Sequence, residues 1–307
     1  MTQNSELLSA LNELRRITGI TFNIDTETPD ETAQAVSQLH RLLAAYKEKY
    51  NKTHFLQSIL HGTLSDYDIS EQSAKLRIKP DESRILYLIE SKNTMDDTVS
   101  TILRSIFPPQ MGAYIVPISD TTLALLLPCS LKSNFEEYSR QTACSITDTL
   151  SMEALTFVWI ACSPPLYHLN ELQDAYQKAS LSLKIGKLFY SEQNIFLYNQ
   201  LGIGRLIYQL PLSVCTDFLS EVFQNQIPES LDSDLISTLD RFLQNNLNIA
   251  ETARQLHMHR NTLIYRLEQI EKRTGLDLRK FEDAMTFKIA LMVMNYRNKK
   301  QEDLSHE

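Results

Sequence analysis

With 307 residues the chain exceeds what one hydrophobic core usually covers, so we expect at least two folded units. Apolar residues make up 43% and charged residues 22%, which excludes global disorder, and no apolar run is long enough for a transmembrane helix. The net charge of −8 is unevenly divided: residues 248–300 carry 11 basic and 6 acidic side chains, which indicates that only this C-terminal part meets a polyanion.

Residues 1–80 are predicted to form a helical N-terminal segment. Apolar residues at helical spacing predict a short helix over residues 5–17, and a polar break at residues 26–30 precedes a second helix. The second helix carries a seam with spacings of three and four, formed by Val36, Leu39, Leu43, Tyr46 and Tyr50. Such a seam is typical of a coiled coil. It therefore belongs either to a dimerising helix or to a helix packed on its own domain.

Residues 81–200 are predicted to form an α+β domain. Apolar runs predict strands at residues 84–91, 112–118, 122–128 and 155–162, and amphipathic stretches predict helices at 95–107 and 134–150. The resulting β-α-β-β-α-β order is the ferredoxin-like arrangement. The strands are almost continuously apolar, which indicates a sheet covered by helices. A long helix at about residues 169–188 is expected to follow.

Residues 201–300 are predicted to form an all-α C-terminal domain, followed by an acidic tail at residues 301–307. Within this domain, residues 248–275 predict two helices joined by a short turn. Asn248 and Glu251 resemble a capping box at the start of the first helix. The second helix is expected to run from Arg260 to Thr274, with Gly275 as its C-terminal stop. Two helices, a tight turn at residues 257–259 and a small Ala253 at the crossing indicate a helix-turn-helix.

A helical wheel of the second helix separates an apolar face from a polar face. Leu263, Leu267 and Ile270 fall on one side, which we expect to be core. The polar side carries Asn261, Thr262, Tyr265 and Gln269, with Arg260 and Arg266 on its two flanks, all six predicted to be exposed. Arg pairs with guanine, Asn with adenine, and Thr and Arg suit phosphates. No acidic residue occurs from Arg260 through Leu267, so this face favours DNA over a merely solvated surface.

The stretch TARQLHMHRNTLIYRLEQIEKRTGLDL, residues 252–278, resembles the C-terminal helix-turn-helix of the PucR/CdaR family of bacterial transcription regulators. Residues 281–296 are similar to the long final helix of that family. The resemblance implies that six residues of the motif face DNA: His259, Arg260, Asn261, Thr262, Tyr265 and Arg266. His257 and His259, separated by Met258, lie in the turn of the motif. They are not expected to bind a metal, since no third ligand is near in sequence.

The middle domain resembles the GGDEF-like domain that often precedes this motif in the family. In active cyclases the hairpin between the second and third strands carries two glycines and two acidic residues, which admit the nucleotide and hold Mg²⁺. Here that hairpin contains Ser119, Asp120 and Thr121, so Asp120 is expected to be a turn residue only. We therefore predict a degenerate domain with no catalytic residues, no cofactor and no metal.

The four cysteines lie far apart and form no C-x-x-C pair, which is typical of reduced thiols in the cytoplasm. Cys144 and Cys162 are flanked by apolar residues, so we expect both in the core. The first ten residues lack the regions of a signal peptide, which also favours a cytoplasmic protein.

The sequence as a whole predicts a bacterial transcription regulator that binds double-stranded DNA as a homodimer, with residues 260–274 in the major groove. The sequence leaves open whether the protein binds a small-molecule effector, and no contact with a membrane is expected. The alternative is a nucleotide-binding or cyclase-like protein whose helical tail serves only to bind another protein.

Overall fold

The computed structural model describes residues 7–12, 15, 29–129, 134–225 and 233–305. These residues form two compact units. The sheet unit comprises the described residues up to 183 together with residues 194–198, and the helical unit comprises residues 184–193 and the described residues from 199 onward. Leu14 and Ile17, in the range of the expected first helix, lie outside the described residues, as do residues 226–232.

A long helix and a short one precede the sheet. Helix α1 spans Pro29–Leu60 and helix α2 spans Asp66–Lys75. Val36, Leu39 and Leu43 of the expected seam are buried in one cluster with Leu7 and Ala10. This part of α1 therefore packs against its own chain, whereas the side chains of the two seam tyrosines lie outside the described residues.

The described residues of the sheet unit include five strands. They are β1 (Arg84–Ser91), β2 (Tyr114–Ser119), β3 (Thr122–Pro128), β4 (Val158–Cys162) and β5 (Ile195–Leu197). Their order in the sheet is β2-β3-β1-β4-β5, in which β5 is parallel to β4 and all other neighbours are antiparallel. Strand β1 lies in the centre and is almost wholly buried, as its continuous apolar run predicts.

Two further described helices belong to the sheet unit, and a third runs from the sheet unit into the helical unit at residue 184. Helices α3 (Asp97–Ile106) and α4 (Phe135–Glu153) separate the strands, and α5 (Leu172–Phe189) follows β4. Side chains of both α3 and α4 pack on one face of the sheet, among them Leu103 and Ile146 beside Tyr87 of β1. The mixed α+β class predicted from the sequence is confirmed, with a mostly helical C-terminal part.

Strand β4 begins later than predicted. The apolar run suggested a start at Leu155, but that residue is 91% exposed and has a φ of +49°. A leucine in the left-handed region cannot continue a strand, so pairing starts at Val158. Strand β5 was not predicted, because its three residues are too few to show an alternating pattern.

The described residues of the helical unit form six further helices. They are α6 (Gly204–Ile207), α7 (Leu212–Val222), α8 (Ser233–Gln244), α9 (Ile249–Gln255), α10 (Arg260–Thr274) and α11 (Phe281–Ser305). Their core includes Phe242, Leu263 and Phe287, all at most 2% exposed. Helix α11 continues to Ser305, beyond residues 281–296, which resemble the final helix of the family.

The cysteines divide by depth. Cys162 and Cys215 are buried, Cys129 is half-buried and Cys144 is exposed. The expectation of a core position is therefore confirmed for Cys162 and wrong for Cys144. On α4 the buried residues Ala143, Ile146 and Leu150 define the inner face. Cys144 follows Ala143 and is rotated from it by about 100° around the helix, so it points away from that face.

Candidate nucleic-acid interface

Helix α9 begins at a side-chain cap. The side chain of Asn248 accepts a hydrogen bond from the Glu251 N–H at 3.1 Å, which satisfies one of the free donors of the first turn. The Glu251 carboxylate instead receives hydrogen bonds from Arg254 at 2.6 Å and Gln255 at 2.7 Å. These bonds hold the pKa of the Glu251 carboxyl below its usual range, and the bond from Arg254 has the largest effect. The expected capping residue is thus in place, while Glu251 neutralises part of the charge of Arg254.

The turn between α9 and α10 is fixed by backbone hydrogen bonds. The Met258 N–H donates to Ala253 O at 3.0 Å, and the His257 N–H donates to Arg254 O at 3.2 Å. This pair of bonds is the Schellman motif, and it places His257 in the left-handed region with a φ of +50°. A side chain at this position costs backbone energy that glycine would not. The turn therefore sets the direction in which α10 leaves α9.

One face of α10 is anchored in the helical core. Leu263, Leu267 and Ile270 are at most 3% exposed, as the helical wheel predicts. Ala253 of α9 is also buried in this core, 5% exposed, at the position where the sequence indicates a close crossing. The helix ends at Gly275, whose φ of +76° is left-handed and whose N–H donates to Glu271 O at 2.7 Å. The predicted bounds of this helix are confirmed at both ends.

The opposite face of α10 is polar and open. Arg260, Asn261 and Thr262 of the first turn are exposed, and Tyr265 presents 60% of its surface to solvent. Gln269, one turn further along, is half-buried, in contrast to its predicted exposure. The first turns of α10 thus offer a guanidinium, an amide, a hydroxyl and a phenol side by side, with no carboxylate before Glu268.

His259 is exposed and also caps α10. Its Nδ1 accepts a hydrogen bond from the Asn261 N–H at 3.2 Å. That bond requires the Nδ1 lone pair, which assigns the proton of a neutral ring to Nε2. His259 therefore holds the first turn of α10 in shape, in addition to any contact its outer edge makes.

Arg266 departs from its predicted exposure, because it is half-buried. Its Nη1 donates to Thr238 Oγ1 at 2.6 Å and lies 3.3 Å from Asp234 O, both on helix α8. A guanidinium fixed in this way attaches α10 to the preceding helix. Arg266 is therefore separated from the exposed group around Arg260 and Tyr265.

Two residues outside the motif position it and were not found from the sequence. Thr238 is the buried partner of Arg266, and Asn245 donates from Nδ2 to Thr252 Oγ1 and Gln255 Oε1, each at 3.1 Å. Both lie on or just after α8. The spacing of apolar residues predicts which face of α8 is buried. It does not predict which polar side chains of the motif lie next to α8.

The last helices match one family model. Residues 235–293, from within α8 to the middle of α11, match the PucR C-terminal helix-turn-helix domain. This segment is a PucR-type helix-turn-helix domain. In the PucR-type domain α9 and α10 are the two helices of the motif. Thr238 on α8 and Asn245 just after it support the motif.

Curated relatives extend the similarity beyond the PucR-type domain. The chain is 29% identical over 190 residues to the purine catabolism regulatory protein of Bacillus subtilis, covering 60% of this chain and 34% of that protein. It is 29% identical over 147 residues to the proline-responsive transcriptional activator PutR of the same organism, covering 45% and 35%. It is 21% identical over 267 residues to the carbohydrate diacid regulator of Escherichia coli, covering 84% and 68%. The chain thus spans about a third of the length of the first two.

Across residues 7–12, 15, 29–129, 134–225 and 233–305, no cluster of three or more His, Cys, Asp or Glu side chains is arranged to hold a metal ion. Over the same ranges, no helix combines the length and hydrophobicity needed to cross a membrane.

Proposed function

We propose that this protein is a sequence-specific transcription regulator that inserts helix α10 into the major groove of DNA. The observation that carries the proposal is the two-sided character of α10. Leu263, Leu267 and Ile270 fix one face in the core, while the other face presents Arg260, Asn261, Thr262 and Tyr265 without an acidic neighbour. The match to the PucR-type domain and three relatives named as regulators support the same function.

Each exposed side chain suits a distinct part of a DNA duplex. The guanidinium of Arg260 fits the two acceptors of guanine, and the amide of Asn261 fits the donor and acceptor of adenine. The hydroxyls of Thr262 and Tyr265 suit phosphate oxygens, which fix the register of the helix on the duplex. His259 and Gln269 complete the proposed contact set at its two margins, and Arg266 contributes by holding α10 in place.

We propose a homodimer, because one short recognition helix reads too few base pairs for high affinity. Proteins of this kind bind two half-sites about one helical turn apart, roughly 34–36 Å. The described residues of the α1 seam pack against Leu7 and Ala10 of the same chain. Helix α1 is therefore a weaker candidate for the dimer contact than its spacing alone indicates.

We propose that the sheet unit is a ferredoxin-like domain of the GGDEF-like type that serves as scaffold and performs no catalysis. Its β2–β3 hairpin turns at Asp120 and Thr121, and the Asp120 carbonyl accepts a 2.7 Å hydrogen bond from the Met95 N–H. The residue therefore has a structural task in the turn. A protein that binds the chromosome of a bacterium works in the cytoplasm, which we propose as its location.

The proposed function is tested by binding of the purified protein to the DNA upstream of its own gene and neighbouring operons, over a series of salt concentrations. We expect saturable binding that depends on sequence and weakens steeply with salt, because phosphate contacts release counterions. Arg260→Ala and Asn261→Ala are expected to reduce the preference for the specific fragment, since both side chains face the bases. Equal affinity for all fragments, unaffected by either substitution, would contradict the proposal.

A further inference from the structure

The sheet unit contains a cavity of about 530 Å³. Its walls come from three elements: residues 52–56 of α1, residues 97–107 in and just after α3, and residues 113–117 in and just before β2. Strand β2 is an edge strand, so its outer side is not covered by another strand. Cavities of roughly 300–1,000 Å³ are the size class that encloses small organic ligands.

The α3 wall is part of the polar face of an amphipathic helix. Asp97, Ser100 and Arg104 are spaced by three and four residues, so they lie above one another on one face and all line the cavity. Val99, Ile102 and Leu103 point the other way, into the core of the sheet unit. Helix α3 is therefore held by its apolar face and free to present its polar face to a ligand.

The remaining walls combine apolar surface with a second cation. Leu56, Phe107, Ile115 and Val116 supply the apolar surface, and Lys52 lies at the same cavity. Among the described residues of the lining, the charged side chains are one carboxylate, Asp97, and two basic groups, Lys52 and Arg104. An apolar body with an anionic end matches this combination of charge and hydrophobic surface.

Arg104 is the group best placed to receive the anionic end. It is exposed, and among the salt bridges formed by the described residues none involves it. Arg84 of β1 provides a contrast, because its guanidinium is buried and bonded to Glu82 at 2.7 Å. A planar guanidinium with free donors binds a carboxylate or sulfonate through two parallel hydrogen bonds.

We propose that this cavity is a binding site for a small amphipathic organic anion. The carboxylate or sulfonate lies at Arg104, and the apolar body packs against Leu56, Phe107 and Ile115. The hairpin residues Ser119, Asp120 and Thr121 do not line the cavity, so the site is distinct from the hairpin that binds nucleotide in cyclases. The proposal concerns the sheet unit alone and stands whether or not the protein binds DNA.

The probe for this site is 8-anilino-1-naphthalenesulfonate, which joins an aromatic body to a sulfonate and fluoresces when its body leaves water. We expect saturable fluorescence with the full-length protein. Hexanoate is expected to displace the probe, and hexylamine, of the same length and opposite charge, is not. No saturable binding, or equal displacement by both competitors, would overturn the proposal.

Two pairs of variants locate the probe. Arg104→Met removes the anchor and is expected to weaken binding roughly ten- to a hundredfold, the range for a lost hydrogen bond to a charged group. Ser100→Phe fills the cavity with the charges intact and is expected to abolish binding. Their controls are Arg77→Met, at an exposed arginine outside the cavity, and Ser105→Phe, at an exposed position of α3 that does not line it. Both controls are expected to bind as the parent protein does.

Melting curves of the four variants show whether each is folded. Unchanged probe affinity in both Arg104→Met and Ser100→Phe would place the probe elsewhere and overturn the assignment. Equal loss in the test variants and their controls would also overturn it, because the effect would then not depend on the cavity.

Discussion

The guanidinium of Arg266 donates a 2.6 Å hydrogen bond to the hydroxyl of Thr238, which is 1% exposed on helix α8. Thr238 in turn donates to Asp234 O at 2.6 Å, so its hydroxyl uses both its donor and an acceptor lone pair. This relay ties the middle of α10 to the helix before the motif. Arg266 therefore acts as a positioning residue for the recognition face.

Removing either end of this relay is expected to destabilise the helical unit. Arg266→Ala and Thr238→Val should each lower the free energy of unfolding by about 1–3 kcal/mol, because each leaves a partner group without its hydrogen bond. The double variant should lose less free energy of unfolding than the two single variants together, since both substitutions remove the same bond. Urea unfolding followed by circular dichroism measures all three. Full additivity would show that the two side chains do not interact.

The salt dependence of DNA binding separates positioning from direct contact. Arg260→Ala should lower the slope of log affinity against log salt by about 1 if Arg260 reaches a phosphate, or relax the preference for one base if it reaches guanine. Arg266→Ala should weaken binding with neither effect. A lower slope for Arg266→Ala with unchanged stability would mean that Arg266 leaves Thr238 and contacts the backbone of the DNA.

The four thiols are expected to react in the order of their depth. A disulfide reagent should modify Cys144 first and Cys129 more slowly, whereas Cys162 and Cys215 should react only after unfolding. Burial raises the pKa of the thiols of Cys129, Cys162 and Cys215, so little reactive thiolate forms near neutral pH. Mass spectrometry of the labelled native protein checks the order. Early labelling of Cys162 or Cys215 would contradict the burial of these two residues.

A charge in the buried face of α10 is expected to unfold the helical unit selectively. Leu263→Asp places a carboxylate where the side chain is 0% exposed, so the folded state loses several kcal/mol. Cys215 should then become reactive while Cys162, in the sheet unit, stays protected. Thr262→Asp, one residue earlier and exposed, is the control and should retain the protection of Cys215. Protection of Cys215 in Leu263→Asp would show that the helix is rotated.

The turn of the motif is expected to discriminate between side chains at position 257. His257→Val should destabilise the helical unit by about 1–2 kcal/mol, because a β-branched residue is strongly disfavoured at a φ of +50°. His257→Gly should not destabilise it, since the relief of strain offsets the added entropy of the unfolded chain. Thermal unfolding of both variants gives the comparison. A stable His257→Val would mean that the turn adopts another conformation.

Local sequence patterns were sufficient for the elements of the motif. The caps at Asn248 and Gly275 and the stripe of Leu263, Leu267 and Ile270 are all short-range features, and the structure confirms them. Arg266 is held by a hydrogen bond to Thr238, which lies 28 residues earlier in the chain. Local sequence spacing cannot predict a contact between residues so far apart. Cys144 was misplaced for a related reason, because its apolar neighbours in sequence lie on another face of α4.

The central claim is that the exposed face of α10 reads DNA sequence. Its most direct test is selection of bound duplexes from a random-sequence pool by the full-length protein and by Asn261→Ala. We expect the parent protein to enrich one motif, repeated in two half-sites about 10–10.5 base pairs apart, and Asn261→Ala to lose an adenine from each half-site. Enrichment of no motif by the parent protein, or of the same motif by both proteins, would contradict the claim.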